Sequence, residues 1–180
     1  MIAEQADRCK KIVAGLLDFA RQNRVLLQTT DVRELVARSR RTVPVSEQIS
    51  VEVEHRLEDP YCECDQDQMI QVLTNLISNA IAAMPDGGNL RVQTSGDERE
   101  VCIVVRDTGV GIAKENMSKI FTPFFTTKKM GKGTGLGLAV TYGIVKMHRG
   151  DIRVKSNADA AAGPTGTTFT VTIPRQGRQE

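Results

Sequence analysis

The chain opens on a seam of apolar residues. Ile2, Ala6, Cys9, Val13, Leu16 and Ala20 recur at alternating spacings of four and three, with Ile12, Leu17 and Phe19 on one flank. That spacing predicts a helix from Met1 to about Asn23, packed either on its own domain or in a helical bundle. No helix of similar length follows at once, which favours the bundle. After the polar stretch Gln28-Thr29-Thr30, Asp31 and Glu34 read as a capping box. Leu35 and Val36 start the apolar face of this second helix, and Pro44 ends it. Ile49 to Arg56 alternates apolar and polar positions, which predicts a half-buried strand. Asp59-Pro60 is a turn, and Tyr61 to Cys64 is a short strand. Asp65 to Met84 carries the strongest helical pattern, with Val72, Leu73, Leu76, Ile77, Ala80 and Ile81 along it, until Pro85-Asp86-Gly87-Gly88 stops it.

Two strands, Leu90 to Thr94 and Val101 to Arg106, flank a charged hairpin. A helix from Gly135 to His148 stops at Gly150, and Asp151 to Lys155 with Thr167 to Ile173 forms a closing hairpin. Asn157 to Gly166, rich in Gly and Ala, reads as a mobile loop. The order predicts an α+β protein: a two-layer sandwich with helices on one face of a mixed sheet, neighbouring strands pairing antiparallel.

Composition narrows the partners. The 180 residues hold 24 Lys and Arg against 22 Asp and Glu, and aromatics make up 4% with no Trp. Neither a concentrated basic face nor a set of base-stacking rings is present, so nucleic acid is not expected. No apolar run approaches the ~20 residues of a membrane span, and no signal peptide is visible. Cys9, Cys62, Cys64 and Cys102 are too scattered for a zinc site. They read as buried thiols in a reducing, cytoplasmic setting, with Cys62 and Cys64 on one face of their strand.

Four features carry candidate chemistry. Asn75 and Asn79, four apart on the long helix, share a face, and an amide oxygen there can ligate a hard cation such as Mg²⁺. Asp107-Thr108-Gly109-Val110-Gly111-Ile112 puts a carboxylate at a strand end, where it can accept from an exocyclic amine, beside glycines that let a flat ligand approach. Phe121-Thr122-Pro123-Phe124-Phe125 lies in a segment without periodicity, which suits a loop pinned by Phe anchors. Gly131-Lys132-Gly133-Thr134-Gly135-Leu136-Gly137-Leu138 opens a helix with four glycines. That is costly for a helix but suited to amides curling around phosphates. Taken singly, each has a plainer reading: solvated amides, an ordinary turn, core aromatics, a glycine linker. Their joint occurrence in this order does not.

It is on these residues that the sequence resembles the catalytic, ATP-binding domain of sensor histidine kinases. These belong to the GHKL superfamily, with gyrase, the ninety-kilodalton heat-shock chaperone and the mismatch-repair ATPases. Asn75 to Ala80 resembles the N box, Asp107 to Ile112 the G1 box, Phe121 to Phe125 the F box and Gly131 to Leu138 the G2 box. Gly166-Thr167-Thr168-Phe169 resembles the late Gly-Thr-x-Phe segment, and the Phe-Thr-Pro-Phe-Phe-Thr-Thr-Lys run is similar to the nitrogen-regulation type. The resemblance covers roughly residues 31 to 174 and implies a Bergerat-type ATP-binding fold there, followed by a tail, 175–180.

It also implies roles. Asn79 would hold Mg²⁺, with Asn75 supporting the phosphate side. Asp107 would bind adenine N6, with Gly109, Gly111 and Ile112 shaping its pocket and Thr168 beside the base. Lys114 to Gly133 would be an ATP lid hinged on Phe124 and Phe125. Lys128, Gly131, Gly133, Thr134, Gly135, Leu136, Gly137 and Leu138 would face the phosphates. The expected substrate is ATP and the expected acceptor a histidine, with a response-regulator receiver domain as partner. Two departures stand out. Hydrolytic members carry a glutamate one turn before the metal-binding Asn, where this chain has Asn75, and an amide is no general base. The only histidines, His55 and His148, lack an acidic phosphoacceptor context. Residues 1–24 instead resemble the C-terminal part of the second dimerisation helix, so the acceptor helix is expected elsewhere and a homodimer through 1–24 is possible. The rivals are a serine protein kinase of the anti-sigma type, which shares these boxes, and a nucleotide-gated interaction module without catalysis.

Overall fold

The computed structural model describes residues 25–128 and 133–176. The seam of residues 1–24 therefore lies outside the described residues. The chain runs β1 (Gln28–Asp31), α1 (Val32–Thr42), β2 (Ile49–His55), β3 (Tyr61–Cys64), α2 (Gln66–Ala82), β4 (Gly88–Gly96), β5 (Glu100–Asp107), a 3-10 turn (Lys114–Asn116), α3 (Gly137–Met147), β6 (Asp151–Asn157) and β7 (Gly166–Pro174). Five strands form one sheet in the order β2-β4-β5-β7-β6, and β1 pairs with β3 in a separate two-stranded sheet. α2 packs against both α1 and α3. Its buried Leu73, Leu76 and Ile77 share one core with Leu90, Ile103, Val105, Phe169 and Val171 of the sheet. The α+β architecture is the one the pattern predicts.

Two pairings differ from expectation. β1 was no strand in the sequence, because Gln-Thr-Thr-Asp shows no apolar alternation. Antiparallel pairing with β3 makes it one and buries Thr30 opposite Cys62. β2 and β4 are parallel. The intervening β3 and α2 form a crossover, which returns the chain in the same direction. Cys62 and Cys64 do share a face, with sulfurs 3.9 Å apart. The Cys64 sulfur beside it and burial push the Cys62 thiol up. The 157–166 loop is folded on Asn157, whose Nδ2 donates to the carbonyls of Asp159, Gly163 and Pro164.

The starts of α1 and α2 are set by aspartates. Asp31 caps α1 by accepting from Arg33 N at 2.8 Å. Glu34 does not complete a reciprocal box among the described residues. The Arg33 guanidinium, 2.7 Å from the carboxylate, holds Asp31 below the usual range. Asp65 caps α2 through Gln68 N, while its other oxygen accepts from Leu26 N at 3.1 Å. One carboxylate thus fixes both a helix start and the incoming chain.

His148 closes the same corner. Its Nε2 lies 3.0 Å from Asp65 N, which can only donate, so Nε2 accepts and Nδ1 carries the proton given to Ile144 O at 2.8 Å. Burial pushes this imidazole below its ordinary 6.5. The folded chain therefore resists a proton that the unfolded chain takes, so stability falls as pH drops below about 6.5. Urea midpoints at pH 7.5 and 5.5 should differ in the parent, and the difference should shrink in His148→Gln. An equal difference in both would remove His148 as the cause.

Arg175, placed by the sequence in a tail, is instead a clamp. Its buried guanidinium donates to the carbonyls of Tyr61 (2.6 Å), Asp59 (2.8 Å) and Asp97. Its backbone N donates to Arg99 O, and its carbonyl accepts from Glu63 N, each at 2.8 Å. It thereby ties β7, the β4–β5 hairpin and β3 together. Arg175→Met should cost about 3 kcal/mol by leaving these carbonyls without donors. A urea midpoint unchanged from the parent would contradict that reading.

Candidate functional site

A cavity of about 440 Å³ opens between α2, the ends of β5 and β7, and the start of α3. Its inner wall is Asp107, the last residue of β5, 5% exposed. Asp107 Oδ1 accepts from Gly109 N at 2.9 Å and Thr167 N at 3.2 Å. Burial raises this carboxyl above its ordinary value, against the lowering by those two N–H groups. Oδ2 has no partner among the described residues, which leaves it for a ligand donor. The turn after Asp107 is tight. Gly111 has φ 73°, and a Cβ on it would run into the Asn157 carbonyl. Gly109 lies on the end of α2, where Val110 N donates to Ala83 O at 3.0 Å. Gly111, Ile112, Ala83, Thr167 and Phe169 complete this end of the cavity.

The other end is polar. Asn79 lines it, and its Oδ1 accepts from Lys128 Nζ at 3.1 Å. Lys128 is exposed overall, but desolvation of its ammonium against the cavity wall lowers it below the ordinary lysine value. Thr126, Thr127, Gly133, Thr134, Gly135, Gly137 and Leu138 continue the wall. Leu136, the N-cap of α3, supplies no side-chain cap. The first N–H groups of α3 are therefore left for an anion, which the helix dipole also favours. Among the described residues no group of three or more His, Cys, Asp or Glu is placed to hold a metal. A lone amide oxygen that already takes a cationic partner fits a hard cation shared with phosphates, as Mg²⁺ commonly is.

Several expected residues sit elsewhere. Asn75 is not on the cavity wall. Its Nδ2 donates to Gly137 O at 3.1 Å and Thr141 Oγ1 at 3.4 Å, fixing α3 against α2. Thr168 is on the opposite face of β7, because side chains alternate along a strand. Thr167 and Phe169 face the cavity instead. Phe124 is no anchor: it is 56% exposed with φ 66°, its N donating to Gly135 O at 2.9 Å. The anchors are Phe125, packed on the core, and Phe121, also on the core and 5.2 Å from the Tyr142 ring. Leu136 is buried, and Gly131, with Lys129 and Lys132, lies outside the described residues. Sequence reasoning missed Thr167, which the period-2 pattern of the G-T-x-F run pairs with Phe169.

Residues 64–177 match the family model of histidine kinase-, DNA gyrase B-, and HSP90-like ATPases. The chain belongs to that family. Its fold is that of the family's ATP-binding catalytic domain. Sensor histidine kinase ZraS of Escherichia coli K12 is 37% identical over 177 residues, 97% of this chain and 37% of ZraS. The chain thus spans little more than a third of that relative. The catalytic domain of histidine kinase ThkA superposes with a TM-score of 0.69 at 29% identity, covering 84% of this chain and 99% of that one. ThkA in complex with the response regulator protein TrrA superposes at 0.75 and 26% identity, covering 97% of this chain and 49% of that one. No helix among the described residues is long and apolar enough to cross a membrane.

Proposed function

We propose that this chain binds Mg-ATP and is the catalytic part of a cytoplasmic sensor histidine kinase, transferring the γ-phosphoryl to a histidine on another segment or chain. One observation carries the reading: a single cavity joins a buried carboxylate, Asp107, to the Asn79–Lys128 pair and the uncapped start of α3. Asp107 Oδ2 accepts from the adenine amine. Gly109 keeps the turn on α2, and Gly111 and Ile112 wall the base. Lys128, Thr134 and the amides around Gly133, Gly135 and Gly137 take the phosphates. Leu136 and Leu138 seat the start of α3, and Asn75 positions it. Asn79 would hold Mg²⁺, which would supply charge neutralisation at the phosphates.

Transfer is favoured over hydrolysis because Asn75 is an amide engaged with Gly137 O, unable to take a proton from water. Neither histidine of the chain lines the cavity: His55 pairs through Nδ1 with Thr94 Oγ1 at 2.8 Å, and His148 is buried at the end of α3. An acceptor nitrogen must come within roughly 3.5 Å of the reacting phosphorus. The acceptor therefore comes from another segment or another chain. A receiver domain takes the phosphoryl next, as the pairing of ThkA with TrrA suggests. The Phe121 to Lys128 run favours the nitrogen-regulation type. Incubating the chain with γ-labelled ATP and a separate acceptor helix pair should put acid-labile, base-stable label on that pair and none on the chain. Acid-stable label on serine, or ADP release without transfer, would contradict the reading.

A further inference from the structure

Lys128 has a second role, which rests on the nucleotide reading above. No carboxylate pairs with its ammonium among the described residues, although it stands on the cavity wall. Its hydrogen bond there is to the neutral oxygen of Asn79, at 3.1 Å. The stem is seated: a Cβ on Gly133 would press on Lys128 Cδ and Thr126 Oγ1, each at 3.2 Å, and Lys128 N donates to Thr126 Oγ1. The same Asn79 oxygen is the one assigned to the divalent cation. An ammonium and a divalent cation repel strongly at a shared, partly desolvated oxygen, so the two occupy it in turn.

We propose that Lys128 is an exchangeable counter-cation. Its ammonium, held at Asn79 Oδ1, supplies the counter-charge to the phosphates until a divalent cation takes that oxygen and displaces it. A positive charge is thus present at this end of the cavity with or without metal. Nucleotide should therefore bind measurably without metal, and removing the lysine should make binding far more metal-dependent.

The test is calorimetric titration of ADP into the parent and Lys128→Met, each with excess Mg²⁺ and each with EDTA. In the parent, the EDTA-to-Mg²⁺ ratio of dissociation constants should be modest. In Lys128→Met that ratio should rise about tenfold or more, mainly by weaker binding in EDTA, where one charge-assisted contact is lost without replacement. Retained binding of Mg-ADP also shows that the variant is folded. An unchanged ratio would overturn the exchange while leaving the nucleotide reading intact. Equal weakening under both conditions would make Lys128 a plain phosphate ligand and also overturn it. A parent that binds no ADP under either condition would remove the nucleotide reading and this inference together.

Discussion

Asp107→Asn is expected to weaken ATP binding at least about a hundredfold while making the fold, if anything, more stable at pH 7. The amide oxygen can still accept from Gly109 N and Thr167 N, so the turn and the start of β7 keep their bonds. The atom replacing Oδ2 becomes an NH₂ donor facing another donor, the adenine amine. A charge-assisted bond is lost and two buried donors oppose each other, which amounts to about 3 kcal/mol. Stability should move the other way. Burial raises the Asp107 carboxyl, so its favourable contribution is present below its ordinary 3.8 and is lost as pH rises through the folded value. At pH 7 the charged carboxylate is a burden that the neutral amide lacks. Calorimetry with ATP and urea unfolding at pH 7 check the two halves separately, and near-normal affinity in the variant would refute the adenine assignment. The same logic rejects guanine, whose carbonyl would face the carboxylate, by roughly 10⁴.

Asn79→Ala should lower phosphotransfer to the separate acceptor pair by about a thousandfold, the scale of several kcal/mol of lost charge stabilisation. It should also erase the difference between ATP binding with and without Mg²⁺. The side chain reaches the cavity and, among the described residues, bonds only to Lys128, so the helix itself is not expected to suffer. The metal dependence is the sharper readout, because a merely structural role would lower affinity under both conditions alike. If the variant responds to Mg²⁺ as the parent does, Asn79 is not the ligand.

The elements were legible where apolar periodicity is strong. α2 and the β4, β5 and β7 strands each expose one clear buried set, and their ends shifted by only a residue or a few. β1 was not legible, since four polar residues become a strand only when β3 lies beside them. The parallel pairing of β2 with β4 was hidden for the same reason: register and direction are properties of the assembled sheet.

The site was legible as motifs and less so as side-chain directions. Asp107, Asn79 and Lys128 converge on the cavity, although 28 and 49 residues separate Asn79 from the other two. Asn75 shares a helix face with Asn79, but α3 takes up its amide, a contact that no spacing within α2 reveals. Thr168 and Thr167 differ by one position, and a one-residue step along a strand reverses the face. The pairing of the Lys128 ammonium with Asn79 is tertiary throughout and has no trace in the sequence.

The central claim is that one cavity holds adenine at Asp107 and phosphates at the start of α3. Amide NMR of the labelled chain tests it most directly. Adenosine alone should shift Gly109, Gly111 and Thr167 and leave Gly133, Gly135 and Gly137 in place, while Mg-ADP should shift both groups. Adenosine leaving Gly109 and Thr167 unmoved, or guanosine shifting them equally, would contradict the account.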